Sequence, residues 1–80
     1  MKDFLEYLVK SIVKHEDKVL IEEENEGGNL TLRLSVDQED MGLIIGKEGK
    51  TIKSLRNLLK AKAIKEDRRV VLELQEVPAS

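Results

Sequence analysis

Leu43-Ile44-Ile45-Gly46-Lys47-Glu48-Gly49-Lys50-Thr51-Ile52 sets two aliphatic patches on either side of a Gly-x-x-Gly turn. One lysine lies inside the turn and a second follows it. A glycine just past an apolar helical run commonly ends a helix, so Gly46 predicts the close of one helix. The residues after Gly49 predict the start of another. Two glycines with only Lys47 and Glu48 between them exceed what a plain helix–helix linker needs. Missing Cβ atoms let a second backbone come close. A helix beginning at Lys50 aims free N–H groups and the positive end of its dipole at the same place, which suits a phosphate. The pattern predicts a turn that grips the backbone of a single-stranded nucleic acid.

The helix ahead of the turn is short. Asp37 fits its N-cap, and Glu39 and Asp40 fall in its first turn, where acids suit the dipole. Met41, Gly42, Leu43, Ile44 and Ile45 follow. The helix after the turn runs from about Lys50 to Ile64. Ile52, Leu55, Leu58, Leu59 and Ala63 fall on one side of it. Lys53, Arg56 and Lys60 share the adjacent flank.

Upstream, Leu30-Thr31-Leu32-Arg33-Leu34-Ser35-Val36 alternates apolar and polar residues. This predicts a strand with Leu30, Leu32, Leu34 and Val36 toward the core. Val19-Leu20-Ile21 starts another strand, which turns acidic at Glu22-Glu23-Glu24. The turn cluster Asn25-Glu26-Gly27-Gly28-Asn29 joins the two as a hairpin. At the N-terminus, Asp3 caps a predicted amphipathic helix over 3–14, with Leu5, Leu8, Val9, Ile12 and Val13 on one face. His15 fits the dipole at the end of that helix. After the long helix, Lys65-Glu66-Asp67-Arg68 is a polar turn, and Val70 to Leu74 is a last strand closed by Pro78. The order predicts a single α+β domain, a three-stranded sheet covered on one face by helices.

Charge is segregated along the chain. Residues 1–45 carry five Lys/Arg and eleven Asp/Glu, a net −6. Residues 46–69 carry nine and three, a net +6. The total is −2, yet the basic segment opens at Gly46, as a polyanion site requires. A helix with a solvated basic face is the plainer explanation of charge alone.

Several functions are excluded. Eighty residues make one domain. There is no cysteine and one histidine, so neither disulfides nor a thiolate or histidine-rich metal site is expected. No cofactor is expected. No apolar run approaches the ~20 residues of a membrane span, and the acidic start does not suit a signal peptide; a cytoplasmic protein without a membrane partner is expected. Gly46 to Thr51 superficially matches a phosphate-binding P-loop, but that loop needs four residues between its glycines and here there are two. The acids have no nucleophile–base partner, so no enzyme is predicted. The single Phe and single Tyr do not supply the stacking platform of a sheet-type RNA binder.

The framed turn Ile44-Ile45-Gly46-Lys47-Glu48-Gly49-Lys50-Thr51-Ile52 resembles the V/I-I-G-x-x-G-x-x-I core of the KH domain, whose GXXG loop clamps about four nucleotides of single-stranded backbone. The element order α-β-β-α-α-β resembles the type II arrangement. The resemblance spans 1–80 as one KH domain, with a KH core at 18–77 and the GXXG loop at 46–49. Length and the Glu39-Asp40-Met41-Gly42 approach resemble the small stand-alone bacterial KH proteins of the KhpA family.

That resemblance implies a single-stranded RNA binder, with RNA versus single-stranded DNA left open. It also implies a homodimer, or a heterodimer with a larger KH-containing RNA-binding protein, and a role in RNA chaperoning and in control of cell shape and division. Gly46 and Gly49 would admit the RNA backbone, with Lys47 on phosphate and Glu48 on a sugar hydroxyl or in solvent. Gly42, Leu43, Ile45 and Ile52 would line a base groove, although Ile45 and Ile52 fit a core equally well. Lys50, Lys53, Arg56 and Lys60 would extend the electrostatic track, joined by Arg33 if its strand edges the groove. Leu43 departs from relatives that often carry lysine there, which weakens RNA contact or strengthens a protein interface. The competing reading is a protein-interaction subunit with weak or no RNA binding.

Overall fold

The computed structural model describes residues 1–75. Pro78 and the end of the expected core at 77 lie outside the described residues. Six main elements follow one another: α1 (Lys2–Lys10), β1 (Leu20–Glu26), β2 (Asn29–Ser35), α2 (Met41–Ile45), α3 (Lys50–Lys65) and β3 (Arg69–Gln75). This is the α+β order expected.

The alternating stretch forms β2, the central strand of the sheet order β1-β2-β3. Leu30, Leu32, Leu34 and Val36 are all buried. Each buried leucine contributes about 1.5–3 kcal/mol. β1 pairs with β2 antiparallel, with Glu26 opposite Asn29, so only Gly27 and Gly28 form the turn. Two-residue hairpin turns favour positive φ, and Gly27 has φ +62°. The expected turn cluster was too wide: Asn25, Glu26 and Asn29 belong to strands, because β1 and β2 stay paired up to Glu26 opposite Asn29. β3 returns after α3 and pairs with β2 in parallel, which makes β3 an edge.

α1 is shorter than expected. It starts at Lys2 with Met1 at the cap, leaving Asp3 inside the first turn. It stops at Lys10, where the Ser11 hydroxyl donates to the Tyr7 carbonyl at 2.8 Å. Such back-bonding competes with the helical ladder. Ile12 and Val13 still pack on the core from the following turn. His15 therefore lies beyond the helix and takes no part in its dipole.

One core joins the layers. Leu5 and Val9 of α1, Ile44 of α2, and Ile52, Leu55 and Leu59 of α3 pack with Ile21, Leu72 and the β2 residues. Leu58 departs from the expected face and is 47% exposed. The buried α3 stripe of Ile52, Leu55, Leu59 and Ala63 leaves Leu58 one position outside its arc.

Candidate nucleic-acid interface

The turn is built as a reversal between two helices. Asp37 accepts a 2.9 Å bond from the Glu39 N–H and opens a short 3-10 turn, Gln38–Asp40, which runs into α2. The Gly46 N–H closes α2 on the Gly42 carbonyl at 2.9 Å. Gly46 then leaves helical space at φ +75°, ψ 175°. Glu48 (φ +58°, ψ 25°) and Gly49 (φ +75°, ψ 15°) are both left-handed. α3 starts at Lys50. Within the turn the Gly49 N–H donates to the Gly46 carbonyl at 3.2 Å, and the Lys50 N–H donates to the Lys47 carbonyl.

The two glycines do different work. A Cβ on Gly46 would lie 2.2 Å from Thr51 Oγ1 and 2.8 Å from the Thr51 backbone nitrogen. Its bare Cα makes room for the start of α3, and not for a ligand. At Gly49 a Cβ would meet no atom within 4 Å, so this is the glycine that keeps the outer approach open. The same is true of Gly42, on the exposed side of α2.

Lys47, Glu48 and Lys50 are exposed around the turn. Lys53, Arg56 and Lys60 continue along α3, all exposed. The structure sends Arg56 elsewhere than a phosphate track: its Nε and Nη2 each donate to the Leu72 carbonyl of β3 at 3.4 Å. Arg56 thereby spans a groove of about 700 Å³ between α3 and the β3 edge, lined also by Asn57, Lys60, Val70, Leu72 and Leu74. Sequence patterns missed Asn57 and the β3 residues, because nothing local signals that β3 pairs in parallel and becomes the edge beside α3.

The aliphatic candidates separate. Leu43 and Ile45 are 41% and 39% exposed, whereas Ile52 is buried at 8% in the core. Ile52 supports α3 from beneath and does not line a groove. Arg33 is likewise excluded: β2 is central, and Arg33 pairs with Glu24 at 2.8 Å and Glu73 at 3.3 Å on the open sheet face. Lys62 and Arg68 are also engaged, Lys62 over the Phe4 ring at 5.3 Å and Arg68 with the Asn25 side chain.

A glycine-framed reversal between α2 and α3, on a sheet whose second and third strands run parallel, is the type II KH arrangement. A family model for the KhpA/KhpB KH domain matches residues 2–74. The chain belongs to the KhpA family. It is 42% identical over 74 residues to the RNA-binding protein KhpA of Halalkalibacterium halodurans, covering 92% of this chain and 97% of that one. It is 43% identical over 74 residues to KhpA of Clostridium acetobutylicum, covering 92% and 99%. KhpA of Thermotoga maritima is 46% identical over 61 residues, covering 76% and 81%. The KhpA family is one of KH domains and not of enzymes. Among solved structures, a variant of Era from Aquifex aeolicus superposes with a TM-score of 0.63 at 15% identity, over 92% of this chain and 29% of that chain. At that identity the likeness concerns the fold alone.

Among the described residues, no helix is long and apolar enough to cross a membrane.

Proposed function

We propose that this chain binds RNA, as the names of its relatives state for them, that it takes the RNA single-stranded, and that it acts in RNA chaperoning or post-transcriptional control. The RNA backbone lies across Lys47-Glu48-Gly49, at the N-terminus of α3. The carrying observation is the left-handed pair Glu48-Gly49. It turns the chain so that an unobstructed Gly49 lies beside three exposed lysines, Lys47, Lys50 and Lys53. The 16-residue α3 adds its dipole, which favours an anion at this end. Ile45 and Leu43 offer an aliphatic surface to bases next to the clamp, and the α3–β3 groove receives the bases that follow.

The test replaces Lys47 and Glu48 together by aspartate and measures binding of a labelled mixed-sequence single-stranded RNA by fluorescence anisotropy. Binding should fall by at least about tenfold, or 1.4 kcal/mol, with circular dichroism unchanged. A folded double variant with wild-type affinity refutes the clamp. The salt dependence adds a second reading. Each phosphate contact on a single strand contributes about 0.7 to the log–log salt slope. Lys53→Ala should reduce the slope by about that amount, whereas Arg56→Ala should lower affinity with the slope unchanged, because its guanidinium faces the groove.

A second reading concerns partners. Leu58 and Ile64 of α3 are 47% and 67% exposed, more apolar surface than a basic helix requires. We propose that this helix pairs the chain with a second copy or with a larger KH-containing protein. Light scattering of the purified chain, and of Leu58→Lys with Ile64→Lys, tests it. A monomer in both cases, at every concentration up to the millimolar range and with no larger partner recovered, rejects it.

A further inference from the structure

Asp40 is the one charged side chain that the described fold buries completely. A buried carboxylate is costly unless both oxygens find donors. Here Oδ1 accepts the Lys14 backbone N–H at 3.1 Å and Oδ2 accepts the His15 backbone N–H at 3.0 Å. Burial alone raises its pKa, but the bonds from His15 and Lys14 outweigh it and leave the carboxyl below its ordinary value. Asp40 stands at the N-cap of α2 and makes no cap bond to that helix. An aspartate there ordinarily serves its own helix; this one reaches across to a segment 25 residues earlier. Next to it, Glu39 Oε2 meets His15 Nε2 at 3.0 Å.

α2 has five residues, too few to hold a helical direction by itself, and Gly42 weakens it further. Its orientation comes from outside. Ile44 is sunk in the core at 0% exposure, and Asp40 fixes the other end. The Gly46 to Gly49 turn follows α2 without a break. We propose that Asp40 is a positioning residue for the clamp: by tying the start of α2 to the Lys14–His15 backbone, it sets the direction in which Gly46–Gly49 is presented to RNA. The functional half of this inference rests on the RNA-binding reading above; the structural half does not.

The experiment compares Asp40→Asn with Leu30→Val, a core change in β2, remote in sequence from the clamp, that serves as a control for general destabilisation. Amide hydrogen exchange and chemical shifts are recorded on the free proteins under conditions where each is folded. Affinity for the same mixed-sequence RNA is then measured. Asp40→Asn should speed exchange at Gly46, Gly49 and Lys50 at least about tenfold relative to β2 amides, by releasing a local opening. It should also weaken RNA binding about fivefold or more, while Leu30→Val keeps affinity within about twofold. Unmoved clamp amides in Asp40→Asn overturn the proposal. Equal loss of affinity in the control overturns it too. If Asp40→Asn does not fold, Asp40→Glu decides by the same measurements, since it keeps the charge but displaces the oxygens by one methylene. A wild-type chain that binds no RNA rejects the function, while the exchange data still judge the tether.

Discussion

Gly42→Ala separates a structural glycine from a functional one by the sign of its two effects. Gly42 sits inside α2 with its Cβ direction open, no atom lying within 4 Å. Alanine in a helix interior is favoured over glycine by about 0.5–1 kcal/mol. No clash offsets that gain here, so the variant should be more stable than the wild type. For a domain of this size, that corresponds to a rise in melting temperature of about 2–8 °C. RNA binding should move the other way. The added methyl stands on the exposed side of α2, one turn before the clamp, where Leu43 and Ile45 flank the approach. A methyl between packed surfaces costs about 1–3 kcal/mol when it cannot be accommodated, so affinity should fall at least about fivefold. Thermal melts by circular dichroism and anisotropy with labelled single-stranded RNA read the two effects. A variant that gains stability and keeps wild-type affinity would show that RNA does not pass over α2. A variant that loses stability would contradict the open space around Gly42.

Gly46→Ala and Gly49→Ala should both destabilise, since both residues have φ +75°: Gly49 is left-handed, a strain of about 1–2 kcal/mol for a residue with Cβ, and Gly46 with ψ 175° lies in a region essentially reserved for glycine, about 1–3 kcal/mol. Gly46→Ala should cost clearly more in chemical denaturation, because its Cβ also collides with Thr51; a Gly49→Ala variant that is the less stable of the two contradicts the packing. The His15–Glu39 pair predicts a pH effect on stability. The hydrogen bond that the His15 ring donates to Glu39 is the main cause that raises the His15 pKa above its ordinary 6.5. The pair's contribution is therefore complete below about pH 6.5 and is lost as pH rises through the folded value. The stability difference between wild type and Glu39→Gln should be larger at about pH 5.5 than at about pH 8.5; equal differences rule the pair out as a contributor.

Much of the site was legible because its cues are local. The Gly-x-x-Gly spacing, the helix stop at Gly46 and the strict alternation of Leu30 to Val36 each depend on neighbours within a few residues. Ile45 and Ile52 show where such cues end. Both flank the turn with the same side chain, and only the packing of α2 against α3 decides that Ile45 faces out and Ile52 faces in. The groove was not legible at all. It exists because β3 pairs in parallel with β2 and becomes an edge next to Arg56 and Lys60, and strand order is a long-range property that a periodicity of two does not encode.

Asp40 carries the same lesson to a single residue. In sequence it is one of three acids at the start of a helix: Asp37 fits the cap, and the dipole accounts for Glu39 and Asp40 alike. In the fold they divide: Asp37 caps the 3-10 turn, Glu39 meets an imidazole at the surface, and Asp40 is buried on backbone N–H groups of Lys14 and His15. Backbone donors leave no trace in a sequence, because every residue except proline carries one. The bonds also take donors that a helix over 3–14 would have used. A helix running through residue 14 would commit the Lys14 N–H to the Lys10 carbonyl; in the fold it is given to Asp40 instead. The same two hydrogen bonds thus stand in for the last turn of the expected first helix and tie that stretch to the residue that precedes α2.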